Sequence, residues 1–290
     1  MKKFKILIPV YNDWDSLTKL LEEINIIINN FRDIDFSILI INDASSIKAP
    51  KIKVPKNISK IELINIKKNQ GHARCNALGI RYLSEKEDFD FLIVMDGDGE
   101  DQPQEIRDLV KKILIDEHTS VVAKRVKRSE GIIFQFLYQI HKLITIFFTG
   151  KNINFGNYSC LIKKDIKILA SKKSLWSSFS GSVKFHILEL NSIDSTRGVR
   201  YFGPSKMSLN NLILHSFSII AVFKNIVFLR SAIIIIILAY LNFFLGLISI
   251  ILQILLVFFN LVIFLVSLRE NQKDFEDSAN QLKDKEILTH

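Results

Sequence analysis

The amino-acid sequence predicts an α/β fold, a mostly parallel sheet flanked by helices, followed by interfacial helices and a C-terminal two-helix transmembrane hairpin. Three observations predict it. Apolar β-rich runs alternate with stretches of helical spacing in the first part of the chain. The apolar run at 91–95 leads directly into a cluster of carboxylates. Residues 231–268 contain no Asp, Glu, Lys, Arg or His.

The alternation of runs is that of a βαβ chain. Strands are predicted at Phe4–Val10, Phe36–Ile41, Lys60–Ile66, Phe89–Met95 and Val121–Ala123, and helices at Ser16–Asn29, Gly71–Ser84 and Pro103–Ile115. The segment 46–60, which contains two prolines, reads as a loop. Parallel sheets covered by helices bind ligands at the carboxyl ends of their strands. Tyr11, Asn12, Asp43 and Asp96 all arrive at that edge.

The loop after the fourth predicted strand has the composition of a metal site. Asp96, Asp98, Glu100 and Asp101 fall within six positions. Clustered carboxylates repel one another unless a cation neutralises them. Hard oxygen ligands suit Mg²⁺ or Mn²⁺, and such ions bind phosphates. The loop therefore favours a metal-bound phosphate.

Of three other interpretations of this loop, two fail on its residues. A solvated turn that begins a helix fits the Asp-Gln-Pro of 101–103. An EF-hand loop fails, because its sixth position is Asp101 instead of Gly and its twelfth is Arg107 instead of Glu. A dinucleotide-binding fingerprint fails as well, because Gly97 and Gly99 are followed by Gln102 where a third Gly is required.

The uncharged stretch of 38 residues is too long for a single membrane span. One helix of that length would reach roughly 57 Å, nearly twice the hydrocarbon thickness of a bilayer. Two short helices with a turn near 242–246 fit better. Lys224 and Arg230 precede the stretch and Arg269 and Lys273 follow it, so the positive-inside rule places both ends in the cytoplasm.

Two further apolar segments have polar residues at helical spacing. In Ile132–Phe148, Gln135, Gln139 and Lys142 form one polar stripe, which predicts a helix lying on the membrane. Leu209–Leu229 is interrupted in the same way and predicts an interfacial helix leading into the hairpin. Packing of both segments against the soluble core is the alternative.

Composition narrows the class of partner. The chain carries 39 Lys and Arg against 30 Asp and Glu, a net charge of +9, which suits nucleic acid or an anionic membrane surface. The hairpin favours the membrane over nucleic acid. Cys75 and Cys160 lack the spacing of a zinc site or a disulfide framework. The apolar part of the N-terminus is too short for a signal peptide, so the soluble part is expected in the cytoplasm.

An ordered set of motifs resembles the GT-A glycosyltransferases of family 2, within them the branch of dolichol-phosphate mannose synthase and bacterial polyprenyl-phosphate sugar transferases. The set is ILIPVYN at 6–12, NDAS at 42–45, NQGH at 69–72, DGDGED at 96–101, AKR at 123–125 with RSEG at 128–131, FGN at 155–157 and GPSKMSL at 203–209. The terminal hairpin fits the same branch. Each motif alone is weak, and the ordered set is specific.

The resemblance implies a role for each matching residue. Asp43 would accept from a ring N–H of the base, Asp96 would lie near the ribose and the metal, and cationic residues would position a phosphate acceptor. The implied residues are Pro9, Tyr11, Asn12, Asp43, Asn69, Gly71 and Asp96 for the nucleotide; Asp96, Asp98 and Glu100 for Mg²⁺ or Mn²⁺; Asp96, Asp98 and Arg125 for catalysis; and Arg128, Ser129, Arg200, Ser205 and Lys206 for the acceptor phosphate.

Two departures from the family pattern leave the base unassigned. Asn42 replaces the first Asp of the usual Asp-Asp pair, and Ala44 replaces the usual Gly. The Gln-x-x-Arg-Trp signature of processive family-2 polymerases is absent from the sequence, which implies one sugar per turnover. His72, with His141 and His215, forms no spaced metal cluster and reads as structural or lipid-facing.

The sequence therefore predicts a metal-dependent, inverting, membrane-anchored hexosyltransferase-type enzyme of cell-envelope polysaccharide synthesis. It would move one sugar from a nucleotide-sugar donor to polyprenyl phosphate at the cytoplasmic leaflet of the inner membrane. The predicted divisions are 1–206, catalytic; 207–229, interfacial; 230–269, two transmembrane helices; and 270–290, a cytoplasmic polar tail. Transfer to a glycan hydroxyl, with Asp165, Glu189 or Asp194 as base, is the alternative, as is a catalytically silent nucleotide-sugar-binding protein. A homo-oligomer is left open.

Overall fold

A computed structural model describes residues 1–127, 132–204 and 208–290, with the side chains of 127, 132–138 and 209 left out of the description. Within these ranges eight strands form one sheet in the order β7-β5-β6-β4-β1-β2-β3-β8. The strands are β1 Lys2–Val10, β2 Ile34–Asn42, β3 Lys60–Ile66, β4 Phe91–Val94, β5 Val121–Lys127, β6 Phe155–Ile162, β7 Asn191–Thr196 and β8 Leu282–Leu288.

The helices alternate with the strands and then continue alone. They are α1 Trp14–Ile28, α2 His72–Ser84, α3 Ile106–Ile115, α4 Ile132–Thr149, α5 Lys163–Ala170, α6 Phe179–His186, α7 Leu209–Ala221, α8 Lys224–Tyr240, α9 Asn242–Leu245, α10 Leu247–Ser267 and α11 Gln272–Glu276. A 3-10 turn at Pro103–Glu105 precedes α3. The predicted βαβ chain is confirmed, with element ends that shift by a few residues.

The central strands run parallel, as their apolar sequences predict. β1 pairs in parallel with β2 and β4, and β2 with β3. Successive side chains of a strand point to opposite faces, so a strand buried on both faces is apolar throughout. In β1, Ile6 and Ile8 pack into the cluster under α1 and α3, whereas Leu7 packs into the cluster under α2 and α5.

Three strands that the sequence analysis does not assign complete the sheet. β6 runs antiparallel between β4 and β5, and β7 pairs in parallel with β5. β8 comes from the polar tail and pairs antiparallel with β3. It is a charged edge strand, Leu-Lys-Asp-Lys-Glu-Ile-Leu, which lacks the apolar signal of the buried strands.

The apolar C-terminal helices pack side by side. The Ser249 hydroxyl of α10 donates to the Leu238 carbonyl of α8 at 2.6 Å, and α9 with Gly246 connects the two helices where the turn is predicted. α10 begins a segment long and apolar enough to cross a membrane, and only 17% of its most apolar window is buried. α7 and α8 pass the same criterion only as a pair, bent by 84°. One or two spans fit these helices, and the two-helix transmembrane hairpin stays a prediction.

The predicted interfacial helices pack against this apolar unit. α4 lies close to α10, with the rings of Phe148 and Phe259 centred 4.5 Å apart, and Arg230 of α8 donates to the Phe147 carbonyl at 2.7 Å. Where one helix is predicted over 209–229, the chain turns sharply between α7 and α8. Phe223 is buried at this corner, with its ring centred 5.2 Å from that of Phe185.

Candidate active site

The strand ends bring the predicted motifs to one edge of the sheet. β1, β2 and β4 end at Val10, Asn42 and Val94, and the following loops meet there. The Asp43 N–H donates to the Val10 carbonyl at 2.9 Å. A side chain at Gly97 would lie 3.0 Å from the Pro9 carbonyl, so the acidic loop sits directly against the end of β1.

Asp43 joins the turn after β2 to the start of α2. Its carboxylate accepts from the backbone N–H groups of Gln70 at 2.7 Å and Gly71 at 2.9 Å. The Asn69 amide donates to the Asp43 carbonyl at 3.2 Å. Burial raises the pKa of Asp43, and the two N–H donors oppose that rise. Three of the predicted nucleotide residues, Asp43, Asn69 and Gly71, therefore lie together.

Asn12 anchors the loop that follows β1. Its N–H donates to the Ser45 hydroxyl at 2.9 Å, and its amide oxygen accepts from the Ile47 N–H at 2.9 Å. Tyr11 is exposed at the mouth of the site, whereas Pro9 is buried within β1. The structure thus places Tyr11 and Asn12 beside the 43–45 turn and offers only the backbone of Pro9 to this edge.

Asp96 is held by neutral and cationic neighbours. One of its carboxylate oxygens lies 3.0 Å from His72 Nε2 and accepts from the Asn157 amide at 3.1 Å. Its own N–H donates to the Asp101 carboxylate at 2.9 Å. Burial disfavours the charged form of Asp96, but His72, Asn157 and Arg197 outweigh it, so the pKa lies well below its usual range. Asp96 is therefore an anion at neutral pH.

The other carboxylates of the loop are crowded. Burial and the charge of Asp96 raise the pKa of Asp98, and the same two causes raise that of Asp101 to about 7. Burial also raises the pKa of Glu100. The Arg200 guanidinium donates to the Asp98 carboxylate at 2.7 Å, and Arg197 forms an ion pair with Glu100. Negative charge at this loop is thus costly even with two arginines beside it.

Residues 197–202 form an arginine strap along the acidic loop. The Gly198 N–H donates to the Glu100 carbonyl at 2.8 Å, and the Tyr201 N–H donates to the Asp98 carbonyl at 2.9 Å. The ring of Tyr201 fills the space where a side chain at Gly99 would stand, and Gly99 has a φ of +90°. The strap fixes Arg200 close to the carboxylates, where Arg200 also pairs with Asp13.

Arg125 reaches the same edge from β5. Its guanidinium lies over Gly156, and a side chain at 156 would collide with it. Its charge acts on Asp101, opposing the rise in that pKa. The other predicted acceptor residues, Arg128, Ser129, Ser205 and Lys206, lie outside the described residues.

A family comparison decides which class of protein carries this site. The model described as "Glycosyl transferase family 2" matches residues 5–177, more than half of the chain. The chain belongs to glycosyl transferase family 2. The match covers β1 to α5 and includes every carboxylate of the acidic loop.

A curated relative matches a longer stretch of the chain than the family model does. An undecaprenyl-phosphate 4-deoxy-4-formamido-L-arabinose transferase of Salmonella choleraesuis is 26% identical over 223 residues, covering 73% of this chain and 65% of that protein. The chain thus spans just under two thirds of the length of the curated relatives it matches. It is similar to enzymes that are named as undecaprenyl-phosphate sugar transferases.

Solved structures share the fold. Glucosyl-3-phosphoglycerate synthase of Mycobacterium tuberculosis, crystallised with Mn²⁺, UDP-glucose and phosphoglyceric acid, has a TM-score of 0.54 at 13% identity, covering 78% of this chain and 80% of that one. S. aureus TarS, crystallised with UDP-GlcNAc, has a TM-score of 0.50 at 15% identity. The match covers 77% of this chain and 66% of that one. These likenesses establish the GT-A fold of this family 2 member.

The donor set of the acidic loop fits a hard divalent cation. Carboxylate oxygens are the ligands that Mg²⁺ and Mn²⁺ prefer, and the raised pKa of Asp98 reports a crowding that a cation would relieve. Across the described parts of the chain, no three His, Cys, Asp or Glu side chains are arranged as a ready-made metal site. Asp98 and Glu100 each direct an oxygen to an arginine instead.

His72 is a site residue that the sequence analysis missed. It is the first residue of α2, and Nε2 lies 3.0 Å from Asp96, 2.9 Å from the Asn157 amide and 3.0 Å from the Asn76 amide. It therefore holds the Asp96 carboxylate in place, which fits the structural of the two roles that the sequence analysis left open. Its position directly after Gly71, where β3 leads into α2, is the sequence signal that points to the strand-end edge.

Proposed function

We propose that this chain is a membrane-anchored inverting glycosyltransferase that moves one sugar from a nucleotide-sugar donor to polyprenyl phosphate at the cytoplasmic leaflet. The observation that carries the proposal is the meeting of three groups at one edge of the sheet. They are the Asp43 turn, the acidic loop and the two arginines of the strap. The 26% identical undecaprenyl-phosphate transferase supports the choice of acceptor.

The donor would lie across the ends of β1, β2 and β4. Tyr11, Asn12 and Asp43 would contact the base and ribose. The first turn of α2 would face the phosphates, where the backbone N–H groups that follow Gly71 favour anions. A divalent cation held by Asp96, Asp98 and Glu100 would supply Lewis-acid stabilisation of the diphosphate leaving group. His72, whose Nε2 lies 3.0 Å from Asp96, would hold that carboxylate in place beside the cation.

A phosphate acceptor explains the cations better than a hydroxyl acceptor does. A polyprenyl phosphate is already ionised near neutral pH, so it needs positive charge to hold it and no general base. Arg200 lies within hydrogen-bond distance of Asp98 and can present the acceptor beside the leaving group. Arg125 adds a second cation at the same edge.

The three residues proposed as a base for a hydroxyl acceptor lie elsewhere. Asp165 follows β6, at the amino-end edge of the parallel strands, and accepts from the Ser120 hydroxyl. Glu189 precedes β7 and lies at that same opposite edge. Asp194 lies within the edge strand β7 and is exposed. Their placement favours the phosphate acceptor.

Purified protein tested with a panel of nucleotide sugars, undecaprenyl phosphate and Mg²⁺ or Mn²⁺ examines the whole proposal. We expect one donor to yield an acid-labile, phosphodiester-linked glycolipid, identified by mass spectrometry. A glycolipid without that linkage would favour the hydroxyl acceptor. Metal and donor binding without consumption of any donor would favour the catalytically silent alternative.

Replacing Arg200 tests its role in acceptor binding. We expect Arg200→Ala to raise the KM for undecaprenyl phosphate by roughly 10- to 100-fold, because a charge-assisted hydrogen bond contributes about 1.5–3 kcal/mol. Donor affinity, measured by calorimetry, should change little. Arg32→Ala, at an exposed arginine before β2 on the opposite edge, is the matched control. Loss of donor affinity with unchanged acceptor dependence would contradict this role.

Membrane topology is tested by tags before Met1 and after His290. Because β8 pairs with β3, the chain on either side of the apolar helices meets in one sheet, and the two flanks belong on one side of the bilayer. The basic residues around 230–269 favour the cytoplasm as that side. We expect both tags to be protected from protease in right-side-out vesicles. Protection of only one tag would refute the two-span arrangement, and digestion of both tags would refute the cytoplasmic placement.

A further inference from the structure

The C-terminal tail is built into the catalytic domain. β8 pairs with β3 from Ile61 and Leu288 to Ile66 and Leu282. Ahead of it, Phe275 is fully buried, with its ring 6.0 Å from that of Trp176. The tail is therefore held to the sheet by apolar packing as well as by strand pairing.

A chain of side-chain hydrogen bonds runs from β8 to the turn after β2. The Asp284 carboxylate accepts from the Asn65 amide of β3. The Asn65 carbonyl accepts from the Asn42 amide at 2.7 Å, and the Asn42 carbonyl accepts from the Ser45 N–H at 3.1 Å. This hydrogen-bond chain crosses the neighbouring strands β8, β3 and β2 and ends beside the proposed nucleotide site.

The carboxylate at one end, which only accepts, and the Ser45 N–H at the other end, which only donates, require the same direction for every bond in this hydrogen-bond chain. An ionised carboxylate only accepts hydrogen bonds, whereas each asparagine amide has a donor side and an acceptor side. Asn65 must turn its NH2 group to Asp284 and its carbonyl to Asn42. Asn42 must then turn its NH2 group to Asn65 and its carbonyl to Ser45. Without Asp284, the Asn65 NH2 group loses its acceptor, and the Ser45 N–H alone holds the two amides in this order.

The hydrogen-bond chain holds the 42–45 turn, which forms one wall of the proposed nucleotide site. Ala44 has a φ of +53°, a backbone conformation that residues other than glycine rarely adopt. The Ser45 hydroxyl accepts from the Asn12 N–H, and Asp43 holds the start of α2. A turn with an unfavourable residue at its centre depends on the bonds at its ends, and the Asn42–Ser45 bond is one of them.

We propose that Asp284 is a positioning residue for the donor nucleotide, acting through Asn65 and Asn42 on the 42–45 turn. The inference rests on the proposed function, since it takes this turn as the base-binding wall. It also assigns a use to the asparagine at position 42, where the family pattern has Asp. An aspartate there could not donate to Asn65, so the relay to the tail needs the amide.

Calorimetric titration with UDP, GDP and CDP measures the effect on donor binding. For the nucleoside diphosphate that binds best, we expect Asp284→Ala to raise the Kd about tenfold, because the hydrogen bonds that hold the turn lose their anchor on β8. Asp284→Asn should stay within about threefold of the wild type, since its carbonyl can still accept from Asn65. The same split should appear in the donor KM, with kcat nearly unchanged.

Glu286→Ala is the matched control, an exposed carboxylate two residues along the same strand and on the same face. It should bind nucleotide as the wild type does. Asn65→Ala interrupts the hydrogen-bond chain at its middle, so its Kd should match that of Asp284→Ala. The double variant should bind nucleotide no more weakly than either single variant.

Three results would overturn the inference: wild-type affinity in Asp284→Ala, equal losses in Asp284→Ala and Glu286→Ala, or failure of Asp284→Asn to retain affinity. A wild-type protein that binds none of the three nucleoside diphosphates would overturn the proposed function itself. Binding by the wild type with no change in Asp284→Ala would overturn only the role of Asp284.

Discussion

Asp98→Asn is expected to lower the rate of sugar transfer by roughly 10³-fold while the protein stays folded. Asp98 is one of the carboxylates that would hold the cation at the leaving group. Removing its charge weakens that cation, whose stabilisation of the transition state amounts to several kcal/mol. The rate should be measured with the best donor at saturating polyprenyl phosphate, over a range of Mg²⁺ or Mn²⁺ concentrations.

The same substitution is expected to leave the melting temperature unchanged or to raise it. Burial and the neighbouring Asp96 raise the pKa of Asp98, so its charged form is less favourable in the folded protein than in the unfolded chain. A group with a raised pKa loses stability as the pH rises through its titration, and an asparagine removes that loss. The side-chain carbonyl of that asparagine would still be able to accept a hydrogen bond from Arg200.

Asp33→Asn provides the control for a lost carboxylate, because Asp33 is exposed before β2, at the opposite edge of the sheet. It should keep wild-type activity and metal dependence. Full activity of Asp98→Asn at limiting metal would contradict the assignment of Asp98 as a metal ligand. A large fall in its melting temperature would contradict the crowding of charge at the acidic loop.

The sequence predicts the central strands well because burial on both faces makes them apolar without interruption. β1, β2 and β3 are found where the apolar runs lie. The sequence does not predict β8, because an edge strand pairs with a neighbour on one side only and can carry charged residues along most of its length. β6 is missed for a related reason, since its Gly, Asn and Ser residues interrupt the apolar pattern.

The acidic loop is predictable because its carboxylates are adjacent in the sequence. The groups that face them are not. Arg197 and Arg200 lie about a hundred residues away, and only the folded chain shows that they meet Glu100 and Asp98. His72 is separated from Asp96 by one strand and one helix. Local patterns identify the ligands of a site, whereas its counter-charges come from contacts between distant segments.

The second large effect concerns stability and involves Glu62, whose carboxylate is the centre of a charge cluster that joins three strands. Lys5 of β1 is 1% exposed and its ammonium lies 3.1 Å from Glu62. Lys60 lies 3.2 Å away, Lys285 of β8 lies 3.3 Å away, and the Tyr82 hydroxyl donates at 3.1 Å.

Glu62→Ala is expected to lower the free energy of unfolding by about 3 kcal/mol. Removing one partner of a buried ion pair leaves the other charge without compensation, which typically costs about 3–5 kcal/mol. Asp88 is partly exposed and lies 3.2 Å from Lys5. It still compensates part of the Lys5 charge in the variant, so the loss of stability should lie at the lower end of this range. Denaturant unfolding in detergent, followed by circular dichroism, measures the change.

Glu117→Ala is the matched control, because the Lys2–Glu117 pair is exposed on both sides. An exposed ion pair contributes at most about 1 kcal/mol, so this variant should unfold nearly as the wild type does. Equal losses in the two variants would contradict a special role for the buried pair.

The difference between wild type and Glu62→Ala should also depend on pH in a defined direction. Burial opposes the charge of Glu62, but Lys5 and Lys60 outweigh it and lower its pKa from 4.5 to about 2. A depressed pKa contributes stability that is fully present above the unfolded value and is lost as the pH falls through the folded value. We therefore expect the difference in unfolding free energy to be constant above about pH 5 and to shrink between about pH 4.5 and 2. A difference that stayed constant down to about pH 2 would show that lost packing, and not the charge of Glu62, causes the destabilisation.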